Sequence, residues 1–291
     1  MGSWWDVFRS IIYGIVEGVT EWLPVSSTGH LILLEKWLSL ELSAEYFSMY
    51  LVVIQLGAIM AVVVTYWKSL CPFIWRTKDT RAMKSGAKAP NKRKIVLDHN
   101  ILTMWLKILV ACVPAAIVGV IFDDHIDRIF YNPWVVAAAL IVVGLIFIFV
   151  EKKLVGVNPV LTQMEDISWR VAFLIGVFQL IAAIFPGVSR SGATIIGGLI
   201  LGMSRTLAAE FTFYLAVPVM FGASFLKLVT YKGSWDLLGI MVLLTGMLVA
   251  FLVSLKIIEF LINFIRKHDF TVFGYYRIAL GLIVLLYFSF V

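Results

Sequence analysis

The chain has 291 residues, 61% of them hydrophobic and only 14% charged, with a mean hydropathy of +0.96 and a formal net charge of +6. A soluble domain carries about 25% charged residues, so this composition excludes disorder, a nucleic-acid-binding module and an ordinary cytosolic enzyme. What remains is an all-α polytopic membrane protein, because several windows of about 20 residues are apolar enough to span a hydrocarbon core ~30 Å thick.

The first nine residues lack the charged, apolar and small-residue pattern of a cleaved signal, and Trp4 and Trp5 suit an interfacial anchor. Residues 10–34 are apolar but interrupted by Pro24-Val25-Ser26-Ser27-Thr28-Gly29-His30. Proline and glycine break a helix, and polar side chains are costly against lipid. This stretch therefore reads as a re-entrant hairpin whose tip lines a polar cavity. On its first arm Glu17 and Glu21 share one helix face, and Gly14 and Gly18 allow close packing. Two like charges at that depth require a cation, a proton or an arginine. At the tip, Ser26, Ser27 and Thr28 stand at a helix start, where free N–H groups bind phosphate oxygens. The bland alternative is three capping hydroxyls and a satisfied core histidine, His30.

Phe47–Trp67 reads as the first full crossing, with Gln55 either bonding between helices or supporting the site. Residues 68–94 then hold nine Lys and Arg against Asp79 alone, a net +8. Beside an apolar span this is a cytoplasmic loop obeying the positive-inside rule and touching anionic headgroups. Cys71 and Cys112 are too few for a disulfide framework and read as packing residues. The crossings Ile101–Phe122 and Trp134–Val150 flank an outside connection, where Asp123, Asp124, His125 and Asp127 read as a solvated turn, with metal binding as the alternative.

A second interrupted stretch, 171–203, contains Pro186-Gly187-Val188-Ser189-Arg190-Ser191-Gly192-Ala193-Thr194. It sets one arginine between hydroxyls at another helix start, the single cation expected in the site. Arginine offers a fork of donors matched to phosphate; the alternative is an ion pair with Glu17 or Glu21. Gly197, Gly198 and Gly202 read as packing positions, and Glu210 as a first-turn dipole partner of the crossing Phe211–Tyr231. Leu237–Ile258 and Val272–Val291 complete six crossings, and His99 and His268 lie by cytoplasmic interfaces with no role assigned.

The chain also repeats. Gly14 to Glu17 aligns with Gly176 to Gln179 and Pro24 with Pro186; one inserted residue later, Ser26 to Gly29 aligns with Ser189 to Gly192. Gly57-Ala58 meets Gly222-Ala223. Each half is one hairpin plus three crossings, so the second enters from the opposite side. This is an inverted-topology repeat whose tips meet near the midplane. The first repeat covers 1–150 with its hairpin at 1–36, and the second 151–291 with its hairpin at 171–203. Together they make one integral membrane domain. The copies have diverged: Ala183 stands opposite Glu21, Ala193 opposite His30, and Ser27 opposite Arg190. Carboxylates and histidine thus come from one hairpin and the cation from the other, as an asymmetric anion site would need. With the basic loop in the cytoplasm, the 151–170, 204–210 and 259–271 connections are cytoplasmic too, and both termini lie outside.

Glu17-x-x-x-Glu21 followed by the Pro24–His30 motif and the Pro186–Thr194 motif resembles the undecaprenyl-diphosphate phosphatases of the bacitracin-resistance family, over nearly the whole chain. The resemblance implies a bacterial inner-membrane enzyme that removes the terminal phosphate of undecaprenyl diphosphate, with its site opening toward the periplasm. It implies a divalent cation, Mg²⁺ or Ca²⁺, with Glu17 and Glu21 holding it or orienting a water. His30 would be acid/base or nucleophile, and Ser27 a rival nucleophile. Arg190 would grip the diphosphate with Ser189, Ser191 and Thr194, beside the Ser26 and Thr28 hydroxyls of the first tip. The expected partners are that lipid diphosphate and membrane lipid, with no nucleic acid and with a homodimer as one state the chain could adopt. The rival class is a transporter or flippase of an anionic isprenyl lipid phosphate, since inverted repeats of broken helices are a transporter architecture. Clustered carboxylates favour hydrolysis, as a pure anion carrier has little use for them.

Overall fold

The computed structural model describes residues 3–77, 93–130 and 132–290. In chain order these form α1 (Trp4–Thr20), α2 (Ser27–Trp37), α3 (Ala44–Val53), α4 (Gln55–Thr65), α5 (Trp67–Leu70), the strands β1 (Phe73–Thr77) and β2 (Arg93–Leu97), α6 (His99–Phe130) and α7 (Pro133–Leu154). After a 3₁₀ turn at Met164–Asp166 come α8 (Trp169–Ile184), α9 (Arg190–Ile200), α10 (Arg205–Thr230), α11 (Leu237–Ile265) and α12 (Thr271–Phe290).

Six helical stretches are long and apolar enough to cross a bilayer, and each contains one predicted crossing or most of it: Ala44–Thr65, His99–Gly119, Pro133–Leu154, Arg205–Thr230, Leu237–Ile265 and Thr271–Phe290. Their starts are set by local chemistry more than by hydropathy. Ser43, Asn132, Ser204 and Asp236 each accept the N–H three residues on, at 3.0–3.2 Å. Pro133 follows its cap at the one helical position that needs no N–H.

Two expectations are corrected here. The Ser204 cap starts α10 seven residues before the apolar run at Phe211, which puts Glu210 in the second turn, outside the first-turn dipole position. Asp123, Asp124, His125 and Asp127 belong to the continuing α6 backbone and not to a connection; their side chains lie outside the described residues. The core of the basic loop, 78–92, also lies outside them, but its stems pair as antiparallel strands from Phe73↔Leu97 to Thr77↔Arg93.

Two helix pairs fold back on themselves. The Tyr13 hydroxyl donates to Leu38 O at 3.2 Å, and the buried Asp6 carboxylate accepts Glu41 N at 3.1 Å, so the exit of α2 returns to the start of α1. Likewise Val160 N and Leu161 N both donate to Gly202 O at 2.9 Å, so the exit of α9 returns beside the segment leading into α8.

Packing interleaves the halves. α1 lies on α11, α8 on α6, and α7 on α12. Small residues make this possible: a Cβ on Gly14 would stand 2.6 Å from Gly246 O, and one on Gly18 2.8 Å from Ala250 O. Gly144 and Gly274 each face the other's carbonyl. In lipid, where apolar helices gain little from burial as such, this close fit supplies the attraction. One buried cluster takes Trp22, Ile108 and Phe147 from the first half and Ile195, Phe213 and Ile258 from the second.

Candidate active site

The two helix pairs meet at their tips. Pro24 and Pro186-Gly187 end the incoming helices, and each outgoing helix starts from a serine with positive φ, Ser26 at 72° and Ser189 at 70°. These are the aligned serines of the repeat, and among the described residues no other non-glycine has this backbone. Each caps its helix: Gly29 N donates to Ser26 Oγ at 3.4 Å and Gly192 N to Ser189 Oγ at 3.2 Å. The caps engage only the third N–H of each helix. The N–H groups of Ser27 and Thr28, and of Arg190 and Ser191, have no intrahelical acceptor.

Between the tips lies an ionic cluster. Arg190 Nη2 donates to Glu21 Oε1 at 2.7 Å, and Ser27 Oγ donates to Glu21 Oε2 at 2.9 Å. Glu21 is thus matched on both oxygens. Glu17, one turn earlier and fully buried, has no hydrogen-bond partner at either oxygen. The other arm of Arg190, Nη1, is also buried without an acceptor. A carboxyl group and one arm of a guanidinium are therefore left without partners within one cluster.

The remaining predicted residues divide. Ser189 Oγ and Ser191 Oγ lie 3.0 Å apart at the second tip, and Ser191 Oγ reaches Leu23 O of the first at 3.4 Å. Thr194 turns inward: its hydroxyl bonds Arg190 O at 2.9 Å and Thr212 Oγ1 at 2.8 Å, and the residue is 1% exposed. Thr28 stands in the first turn of α2. His30 is brought to the rim, where Nδ1 bonds Ser26 O at 2.8 Å and Nε2 bonds the Tyr276 hydroxyl at 2.7 Å. Neither nitrogen meets Ser27 or Glu21.

Sequence reasoning missed Arg277, which lies fully buried in α12. Its Nη1 donates to Pro24 O at 3.0 Å, and its Nη2 to Gly187 O at 2.7 Å and Val188 O at 2.8 Å, so one guanidinium ties the two tips together. Arg190 is therefore not the single cation at the tips. The signal was present, since an ionisable residue amid an apolar span marks function by default. Gln179, aligned with Glu17, was read only as part of the repeat; it too is buried, with both amide atoms unpartnered.

Among the described residues no three His, Cys, Asp or Glu side chains converge on a metal site. Glu17 and Glu21 form an oxygen-only pair. That suits a hard cation keeping several waters and using substrate oxygens, and does not suit zinc.

This chain matches the family model described as "Bacitracin resistance protein BacA" over residues 10–283. It is 51% identical over 284 residues to the undecaprenyl-diphosphatase of Desulfitobacterium hafniense, covering 98% of this chain and 96% of that protein. Identity is 49% to the undecaprenyl-diphosphatase of Acetivibrio thermocellus (97% of this chain, 98% of that one). It is 48% to that of Enterococcus faecalis, with 98% of each chain covered. A match across all six apolar helices and both tips means that the chain belongs to the bacitracin resistance protein BacA family.

Proposed function

We propose that this chain is a multi-pass enzyme of the bacterial inner membrane that hydrolyses undecaprenyl diphosphate to undecaprenyl phosphate and inorganic phosphate. This returns the lipid carrier to peptidoglycan synthesis and confers bacitracin resistance. The relatives' shared name supplies the substrate. The observation that carries the chemistry is the mismatch in the cluster, where Glu17 and Arg190 Nη1 stay open while Glu21 is fully engaged. A purely structural ion pair would close on itself.

A diphosphate brings several negative charges into a site of low dielectric, so catalysis rests on positioning and charge stabilisation. Arg190 Nη1 and the free N–H groups at the starts of α2 and α9 are the donors for its oxygens. Glu17 and Glu21 would hold Mg²⁺ or Ca²⁺, which when bound neutralises phosphate charge and polarises P–O bonds. Ser27 Oγ already points its proton at Glu21 Oε2, so Glu21 can take that proton as the oxygen, or a water in its place, moves toward the terminal phosphorus. The bond from phosphorus to the bridging oxygen then breaks and undecaprenyl phosphate leaves. Attack by water frees inorganic phosphate at once, whereas attack by Ser27 leaves a phosphoserine whose P–Oγ bond a water must then cleave, returning a proton to Oγ. His30 supplies or accepts a proton at Nε2 once that atom is released from Tyr276. Ser26, Thr28, Ser189 and Ser191 line the tips around the phosphates, and Thr194 buttresses the second from within. All of these residues come from one chain, so a second copy is not needed to complete the cluster.

We read the fold-back pairs as re-entrant hairpins of an inverted repeat opening toward the periplasm. Support comes from the paired serine caps and from the reciprocal packing of α1 on α11 and α8 on α6. The excess of Lys and Arg on the connections away from the α1–α2 pair points the same way. Such a repeat also suits lipid translocation. Phosphate release from undecaprenyl diphosphate in detergent, where no gradient exists, separates the two. We expect release that depends on a divalent cation and is lost in Glu17→Gln. A folded wild-type chain that frees no phosphate under these conditions overturns the assignment.

A further inference from the structure

Tyr276 entered the chemistry above only as the contact that His30 gives up, and among the described residues it is the one side chain hydrogen-bonded to the outer nitrogen of His30. Its hydroxyl lies 2.7 Å from Nε2, and the two rings stack within 10° of parallel at a centroid separation of 5.6 Å. The other nitrogen, Nδ1, faces Ser26 O at 2.8 Å. A carbonyl can only accept, so Nδ1 carries the proton, and in the neutral ring Nε2 presents a lone pair to the tyrosine hydroxyl. The aim of Tyr276 is fixed by its neighbour. Arg277 is fully buried and bonded to three carbonyls across both tips, which locks the rotation and height of α12. Tyr276 itself is 48% exposed, so its ring has room to swing away.

We propose that Tyr276 is a positioning residue for His30. The Ser26 carbonyl keeps the proton on Nδ1, and the Tyr276 hydroxyl, donating to Nε2, holds the ring in its orientation. In the resting site it also occupies the place at Nε2 that a substrate oxygen takes during turnover. This rests on the phosphatase reading above and deepens it. No covalent step is added: a hydrogen bond from tyrosine is exchanged for one from the reacting group.

The test combines kinetics with ¹⁵N-histidine spectra of the full chain in detergent, where the signal lost in His30→Ala identifies His30 among the four histidines. Tyr276→Phe keeps the ring stack and removes the hydroxyl. We expect kcat to fall about tenfold with KM within about twofold, and the His30 Nε2 signal to shift as it loses its hydrogen bond while Nδ1 keeps its proton. In a His30→Ala background the same change should have no further effect, because the two residues act through one contact. An unshifted Nε2 signal in Tyr276→Phe, or an equal loss in both backgrounds, overturns the proposal. Normal turnover in His30→Ala overturns it together with the role of His30. A wild-type chain that frees no phosphate is a failure of the phosphatase reading, and the spectra still report on the Nε2 contact.

Discussion

Glu17 and Glu21 differ in environment though they differ little in sequence. Glu21, at the end of α1, takes one arm of Arg190 and the Ser27 hydroxyl, while Glu17 one turn earlier takes no donor at all. A buried carboxylate without partners costs stability, so neutralising it should cost nothing and should raise the melting temperature of the metal-free protein. Glu17→Gln is therefore expected to melt no lower than the wild type by thermal denaturation in detergent, and, on the proposal that Glu17 and Glu21 hold a divalent cation, added Mg²⁺ should stabilise the wild type and not the variant. A lower melting temperature in the absence of metal would show that Glu17 is held by a contact it does not make in this structure. Arg190 predicts the opposite balance. Its removal strips Glu21 of its ion pair and the substrate of a preorganised donor, a contact typically worth ~10²–10³ in rate. Arg190→Ala should lose at least that, measured as phosphate released per folded molecule. Arg190→Lys should recover only part, because a point charge cannot fork across Glu21 and a phosphate oxygen together. Near-normal turnover of folded Arg190→Ala would make this arginine a counterion only.

At the scale of elements, the tips depend on two serines doing two jobs. Each caps a helix, and each holds a backbone that L-residues reach at a cost of about 1–2 kcal/mol. Ser189→Ala keeps that strain and loses the cap, together a loss of roughly 1–2 kcal/mol beyond the wild type's own strain. Ser189→Gly relieves the strain and should sit within a few tenths of a kcal/mol of the wild type or above it. A chemical-denaturation series in detergent that ranked Ala at or above Gly would contradict this account of the tip.

The same elements show what a sequence can carry. Spans were legible because twenty apolar residues have few alternatives in water, and the tips because Pro24 and Pro186 sit inside such runs. The cost of leaving a charge alone in lipid offered Glu17 or Glu21 as an alternative partner for Arg190, and did not choose between them; the structure pairs it with Glu21. Helix starts were less legible, since the polar caps Ser204 and Asn132 lie outside the hydropathy signal. The break of the first crossing at Ile54 and the strand stems around the basic loop had no signature in the pattern. Arg277 was hidden because its span remains apolar on average, and its partners are backbone carbonyls, which no sequence motif displays.

For the whole molecule, the placement of the site depends on whether the chain between Trp169 and Ile200 crosses the bilayer or turns back within it. Hydropathy alone allows either, since α8 and α9 joined end to end would be long enough to span. The structure's hydrogen bonds favour the turn. Gly202 O accepts from Val160 N and Leu161 N, and Ser204 N donates to Leu161 O at 2.8 Å, so the segments before α8 and after α9 lie side by side at one face. Parity then decides the rest. Between residue 85 and the connection after α10 the chain makes three crossings, α6, α7 and α10, if the pair returns, and four if it does not. A cysteine at Ser85, which lies outside the described residues, and one at Ser234 should therefore face opposite sides. Ser234 is preferred to Gly233, where any side chain would displace the Tyr231 hydroxyl. In intact cells a membrane-impermeant thiol reagent should label Ser234→Cys and spare Ser85→Cys until the membrane is opened. The native Cys71 and Cys112 would first be replaced by serine or alanine to clear the background. Labelling of both positions from outside would mean that α8 and α9 cross as one, which would part the two tips and dissolve the cluster of Glu21 with Arg190. Labelling of Ser234→Cys alone keeps the tips together and agrees with the proposed opening on the outer face.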